Sequence, residues 1–214
     1  LSIRRQRQMC IRDRYAFMQP PAAHIQDDKL IFGGGVLMAV SEVGMIGDHN
    51  LENVCAALTA LEQFAKLKNI DLENDRSQLS RCISEFKGLE HRLEFVREVD
   101  RVRYFNDSYS VMPAATMAGV RTFREPIVAI VGGVDKKVEL EELSASLTGC
   151  KYVILIGEIA GTLASLLNEK NYTTYQRVEG DMQKIVDIAR SKSEVGDVVL
   201  LSPGTSSYDM FKSY

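Results

Sequence analysis

The chain has 214 residues, 45% of them hydrophobic and 26% charged, enough for one large or two modest globular domains with a true core. A net charge of -3 argues against the basic face that nucleic acid or an anionic membrane surface demands, so neither is expected as a partner. Cys10, Cys55, Cys82 and Cys150 are far apart, without a Cys-x-x-Cys or a nearby His pair, which argues against a zinc site or disulfide framework and for a reducing, cytoplasmic setting.

Residues 1–14, LSIRRQRQMCIRDR, are basic and lack apolar periodicity. The string resembles translated sequencing adapter, so the segment is expected to be a non-native tail, with a disordered basic tail as the competing reading. On the first reading the natural protein begins upstream. Residues 29–43, KLIFGGGVLMAVSEV, read as two strands around a glycine turn. No helix start and no Lys-Ser/Thr follow Gly33, Gly34 and Gly35, so the glycines do not form a P-loop.

Val54, Ala57, Leu58, Leu61 and Phe64 fall at helical spacing, with Asn50 as the expected N-cap. His49, Asn50 and Asn53 would then crowd a helix N-terminus, where free backbone N–H groups can hold a polar ligand. Capping alone would explain Asn50 but not the other two. A second amphipathic helix spans about 74–86, and Gly88 is its natural stop.

From Gly88 to Ser110, GLEHRLEFVREVDRVRYFNDSYS reads as a hairpin turning at Asp100 and Arg101, with Arg92 ahead of its first strand and Asp107 at the end of its second. Spacing alone would make both ordinary surface charges. Beyond it, helices and short apolar strands alternate. Helices are expected at 113–123, 140–147, 159–168 and 182–192, and strands at 127–131, 152–156, 173–175 and 198–201. Such a βα repeat predicts an α/β, Rossmann-like unit with a mostly parallel sheet and helices on both faces, its ligand loops at the strand C-terminal ends. Those loops are GGVDKK after Val131, Gly157-Glu158, and SPGTSSYD after Leu201, the last preceding a helix expected near Tyr208. Gly132 and Gly133 would let the backbone approach a ligand, with Lys136 as a mobile cation beside it. Several hydroxyls of the SPGTSS loop would face one point.

Three of these stretches resemble the Mur ligase family: G-x-H-N-x-x-N opening an Ala-rich helix, GLEHRLEF with Asn106-Asp107-Ser108, and a GG-x-x-K loop followed later by L-S-P. The resemblance implies ATP-driven amide formation, with ATP and Mg2+ as cofactors. It implies that residues 15–87 are the end of a P-loop-type central ATPase domain and that 88–214 are a slightly truncated C-terminal domain. His49, Asn50 and Asn53 would lie by ATP, with Asn53 near the adenine, Arg92 on the phosphate side and Asp107 on the ribose. Lys136, Ser207 and Tyr214 would hold the incoming amino acid. For the D-glutamate-adding branch the substrates would be UDP-N-acetylmuramoyl-L-alanine and D-glutamate, in cytoplasmic peptidoglycan precursor synthesis by a monomer.

Two features depart from that pattern. Tyr109-Ser110-Val111 stands where that branch has Lys-Ala-Thr, so the hydroxyl expected at Val111 is missing; Gly204-Thr205-Ser206-Ser207 replaces Ala-Cys-Ala-Ser. No G-x-x-x-x-G-K-[ST] occurs in the sequence, so the magnesium ligands and phosphate-gripping Lys of the family are expected outside it, with no metal site and no certain catalytic residue within. A sibling Mur ligase, a folylpolyglutamate-type ligase, or a non-catalytic nucleotide-binding relic are the alternatives.

Overall fold

Residues 24–39 form an antiparallel meander of β1 (His24–Gln26), β2 (Lys29–Phe32) and β3 (Gly35–Ala39), in a computed structural model that describes residues 18–206. The tail 1–14, Ser207, Tyr214 and the helix expected near Tyr208 lie outside the described residues. Contacts divide the chain into two units between Lys87 and Gly88.

In the first unit the expected hairpin turns at Gly33 and Gly34, whose φ values of 58° and 76° suit glycine. Arg76 grips this turn, its guanidinium donating to the Phe32 and Val36 carbonyls, each at 3.0 Å. Strand β1 was not expected; at three residues it is too short to show alternation, and it joins β2 through Asp27 and Asp28, both at positive φ. Helices α1 (Asp48–Lys68) and α2 (Arg76–Glu85) complete the unit. Leu30, Phe32 and Met38 pack with Val54, Cys55 and Leu58 as its core.

Three expectations here are corrected. Gly47, at φ 94°, precedes the first residue of α1, so Asn50 lies inside the first turn and is not the N-cap. Phe64 is 52% exposed, because it lies roughly 240° around the helix from Leu58, whereas buried Ala65 lies within about 20° of it. Gly88 sits beyond an extended Phe86, so it opens the next segment and does not end α2.

The second unit is a six-stranded sheet in the order β4-β5-β9-β6-β7-β8, formed by β4 (Glu94–Val99), β5 (Val102–Asn106), β6 (Ile127–Gly132), β7 (Tyr152–Ile156), β8 (Tyr175–Arg177) and β9 (Val198–Gly204). Only β4 pairs antiparallel, through a turn in which Asp100 and Arg101 both take positive φ. The other pairs are parallel, as the βα repeat predicted. Strand β8 lies two residues later than expected, and β9 runs on past Leu201 through Pro203. The register against β6 shifts there, and an irregularity tolerates a residue without an N–H.

Helices α3 (Pro113–Arg121), α4 (Glu141–Leu147), α5 (Ala160–Glu169) and α6 (Met182–Lys192) follow the predicted positions within a few residues. The period of two along the strands divides the core. Ala129, Val131, Val153 and Leu155 face Leu143, Leu147, Leu163 and Leu167 of α4 and α5, whereas Val128, Ile130, Ile154 and Ile156 face Ile185 and Ala189 of α6. Among the described residues no helix is long and apolar enough to cross a membrane.

At the edge opposite the C-terminal ends of the parallel strands, the Lys151 ammonium donates to buried Asp197 at 2.6 Å and to Glu194 at 2.9 Å, tying the start of β7 to the turn before β9. The bond that Lys151 donates to Asp197 is the largest influence raising the Lys151 pKa. A folded-state pKa raised above the unfolded value stabilises fully below about pH 10 and ceases to do so as pH climbs through the folded value. The stability difference between wild type and Lys151→Met, read by urea unfolding, is therefore expected to be constant from pH 6 to about pH 10 and to shrink above it. A difference that grows with alkalinity would show that the ammonium is not its source.

Candidate active site

The second unit begins with a tight wrap. His91 and Leu93 adopt φ of 64° and 45°, values uncommon outside glycine, and backbone and side-chain hydrogen bonds secure both. The Glu94 carboxylate accepts from the His91 backbone N–H at 2.9 Å, the Asn106 amide lies 2.8 Å from His91 Nδ1, and the Tyr109 N–H donates to the His91 carbonyl at 3.0 Å. Arg92 emerges from this wrap exposed, with its guanidinium 5.1 Å from the centroid of the Tyr109 ring. The ring face gives a flexible cation a defined resting place without removing its charge.

Asp107 lies elsewhere in environment, though close in sequence. It is 4% exposed, and its carboxylate accepts from the Leu93 N–H at 3.1 Å, the Ser110 hydroxyl at 2.6 Å and the Ser202 hydroxyl at 2.7 Å. Ser202 Oγ also lies 3.0 Å from the Thr116 hydroxyl. On α3 a Cβ at Gly119 would stand 3.0 Å from the same carboxylate, so a residue that weakens a helix by about 1 kcal/mol makes room for the group. Thr116 was not singled out from the sequence, and Tyr109, Ser110 and Ser202 stood out there only as parts of their loops, not as neighbours of Asp107 or Arg92. An Asp-x-x-Ser turn was a usable signal for Ser110, but Ser202 is 95 residues from its partner.

At the C-terminal ends of β6 and β9 the two glycines make room for backbone carbonyls of the protein itself. A Cβ on Gly132 would sit 1.8 Å from the Ile156 carbonyl oxygen, and one on Gly133 2.4 Å from that of Ser206. The close approach is therefore between protein backbones. The Val134 N–H donates to the Ser206 carbonyl at 2.7 Å and the Ile159 N–H to that of Gly133 at 3.1 Å. The hydroxyls of Ser202 and Thr205 point inward, the latter 3.5 Å from the Gly132 carbonyl, so they do not converge on an open point.

Beyond the glycines, Lys137 pairs with Asp135, whose hydrogen bonds from Lys137 hold its carboxyl below the usual range while the Lys137 ammonium is raised. Glu158 accepts from the Asp135 N–H at 2.9 Å. Lys136 is exposed and, among the described residues, enters no ion pair. In the first unit, His49 is half-buried and Asn53 exposed at the start of α1; the Asn50 amide donates to the Ile46 carbonyl at 2.8 Å and accepts weakly from Asn53 at 3.4 Å. Among the described residues no cluster of three His, Cys, Asp or Glu side chains could hold a metal ion. Burial pushes the Cys150 thiol up to about 12, which leaves it without nucleophilic character at neutral pH.

A family model described as "Mur ligase, glutamate ligase domain" matches residues 91–204. The UDP-N-acetylmuramoylalanine--D-glutamate ligase of Latilactobacillus sakei is 36% identical over 193 residues, 90% of this chain. That of Pelotomaculum thermopropionicum is 37% identical over 180 residues, 84% of this chain. The chain spans 40% and 38% of the lengths of these relatives. Among solved structures, the MurF ligase of Thermotoga maritima in complex with ADP superposes with a TM-score of 0.56 at 16% identity, covering 84% of this chain and 41% of its own. The UDP-N-acetylmuramate-alanine ligase of the same organism superposes at 0.57 and 17% identity, covering 74% and 35%. At such identities the superpositions establish the fold.

Asp107 satisfies three donors within the second unit, and their loss sets a scale. Asp107→Ala is expected to destabilise this unit by about 2–4 kcal/mol, because the Leu93 N–H and the buried hydroxyls lose their acceptor. Asp107→Asn, which still accepts from Leu93, is expected to cost less. Urea unfolding followed by circular dichroism measures both, and an alanine variant as stable as wild type would contradict the assignment.

Proposed function

We propose that this chain, which belongs to the Mur ligase family through its glutamate ligase domain, is part of an ATP-dependent ligase that joins D-glutamate to UDP-N-acetylmuramoyl-L-alanine in cytoplasmic peptidoglycan precursor synthesis. The observation that carries the reading is the run of D-glutamate ligases that align along most of the chain at 36% and 37% identity. In this reading residues 15–87 end the central ATPase domain and 88–214 form the amino-acid-delivering domain, in a monomeric enzyme.

The chemistry is set by the weak electrophilicity of a carboxylate. The γ-phosphoryl group of ATP is transferred to a carboxylate oxygen of the nucleotide sugar, giving an acyl phosphate and ADP. The amine of the amino acid then attacks the acyl carbon, the C–O bond to phosphate breaks, and the amine loses a proton. Mg2+, when bound, neutralises the charge of the transferring phosphoryl group. No metal-ligating cluster gathers among the described residues, and the chain's own contribution is to bind and orient.

Lys136 supplies the cation for the carboxylate of the amino acid, supported by its exposure and its lack of a carboxylate partner among the described residues. Ser207 and Tyr214 are assigned to the same substrate from sequence. On the ATP side we assign Asn53, His49 and Asn50 in the first unit, and Arg92 with Asp107 in the second. The hydrogen bonds of Asp107 make an additional structural role part of that assignment.

A specific observation favours a second reading, a sibling ligase that adds another amino acid. Ser110 does not replace the hydroxyl missing at Val111, because it is buried and donates to Asp107. Phosphate release by the full-length protein carrying this segment, measured with UDP-N-acetylmuramoyl-L-alanine and each candidate amino acid, separates the two. D-glutamate should be preferred, and preference for another amino acid would establish the sibling. The 214-residue chain alone is expected to release none, since its sequence lacks the phosphate-gripping motif. Lys136→Ala in the full-length protein should raise the KM for D-glutamate more than tenfold, roughly 1.5–3 kcal/mol, with little change for ATP. An equal loss for both substrates would remove Lys136 from the amino-acid site.

A further inference from the structure

The buried cluster around Asp107 joins three segments that are remote in sequence: the turn after β5, helix α3 and the irregular end of β9. Asp107, Ser110, Thr116 and Ser202 are 4%, 6%, 0% and 0% exposed. Backbone bonds close the cluster: the Asp107 N–H donates to the Leu201 carbonyl at 2.8 Å and the Gly204 N–H to that of Ser110 at 2.8 Å. The Thr116 hydroxyl donates to the Ser202 carbonyl at 3.3 Å. Four buried polar side chains cost desolvation free energy unless each is satisfied, and no buried side-chain polar atom among the described residues lacks a partner. Such a network has one well-defined geometry, because shifting any member strands another.

Ser202 is where this geometry is passed on. Its hydroxyl is bound to Asp107 and its carbonyl to Thr116, which leaves little latitude for the path of residues 203–206. At the far end of that path the Ser206 carbonyl accepts the Val134 N–H at 2.7 Å, two residues before Lys136. Gly133, where any Cβ would strike the Ser206 backbone, keeps the two loops in contact.

We propose that Ser202 is a positioning residue for the amino-acid end of the site, its hydroxyl transmitting the fixed position of Asp107 through the 202–206 loop to the Lys136 loop. This rests on the reading that Lys136 takes the carboxylate of the amino acid. The two ends of the second unit's site are then mechanically linked: a change at Asp107 disturbs amino-acid binding as well as the ATP side.

The experiment pairs two readouts on Ser202→Ala, which removes the hydroxyl, and on Thr116→Val, which removes its neighbour at constant shape. Amide hydrogen exchange on the 214-residue chain reads the Val134 N–H directly. Both variants should exchange it about tenfold faster or more, with the amides of β7 unchanged. In the full-length protein both should raise the KM for D-glutamate about five- to tenfold, leaving kcat and the KM for ATP within about twofold. Unchanged Val134 exchange in both variants, or equal losses for ATP and amino acid, would overturn the proposal and leave Ser202 a purely structural residue. A wild-type protein that does not use D-glutamate would instead overturn the reading of the substrate. The Val134 exchange would still decide whether Ser202 holds the loop, and the KM split would be read with the amino acid that is used. Should Ser202→Ala fail to fold, Thr116→Val carries the same test.

Discussion

The second unit depends on the insertion of β9, its last described strand, between β5 and β6. Until those residues arrive, the β4–β5 hairpin has no parallel partner and β6 has one open edge. The insertion sets Phe105 beside Leu200 on one side and Ala129 beside Leu200 on the other, so a single residue registers both halves of the sheet. Pairings this remote in sequence form late and at an entropic cost, offset here by strands buried on both faces. The same insertion carries Ser202 to Asp107 and Gly204 to the end of β6. Sheet completion and assembly of the buried cluster around Asp107 are thus one event.

The parts of this architecture that were legible in the sequence are those with local causes. A fully apolar IVAIV bounded by Glu-Pro and Gly-Gly can only be a buried strand, and Asp100-Arg101 between alternating runs is a turn; both are so. Arg92 and Lys136 were legible as exposed cations, because a long charged side chain at a strand edge or in a loop keeps its charge in solvent. What could not be read has non-local causes. Nothing near Gly132 announces that the Ile156 carbonyl will lie where a Cβ would be, and nothing near Ser202 announces a carboxylate from the far end of the unit. The glycines and hydroxyls of these loops stand out in the sequence, but the sequence does not say whether such a residue accommodates a ligand or another stretch of the same backbone.

A division of labour among the polar groups follows. Those whose hydrogen bonds lie within the protein, the Asp107 carboxylate with donors from Leu93, Ser110 and Ser202 and the hydroxyls of the last two, set the geometry. Those left at the surface, Arg92 and Lys136, have their charge available for something else. Burial separates the two groups more sharply than residue type does, since a buried carboxylate with three donors is held in place by the cost of breaking any one of them.

The adjacent lysines of the GGVDKK loop show how finely this division acts. Both side chains are chemically the same, both are exposed, and a sequence pattern distinguishes them only by position. Lys137 has a left-handed backbone, at φ 55°, and this fold brings its ammonium onto the carboxylate of Asp135, two residues before it, while its own N–H donates to the other oxygen of that carboxylate. In water such an exposed pair adds little stability. Its consequence is electrostatic: the Asp135 charge is directed at Lys137, so it neither folds over Lys136 nor repels an approaching carboxylate as strongly as a bare Asp would. Glu158, accepting the Asp135 N–H, holds the turn from the other side. A loop with two lysines and an aspartate thus presents one cation outward, and the neighbouring pair is what keeps that cation available.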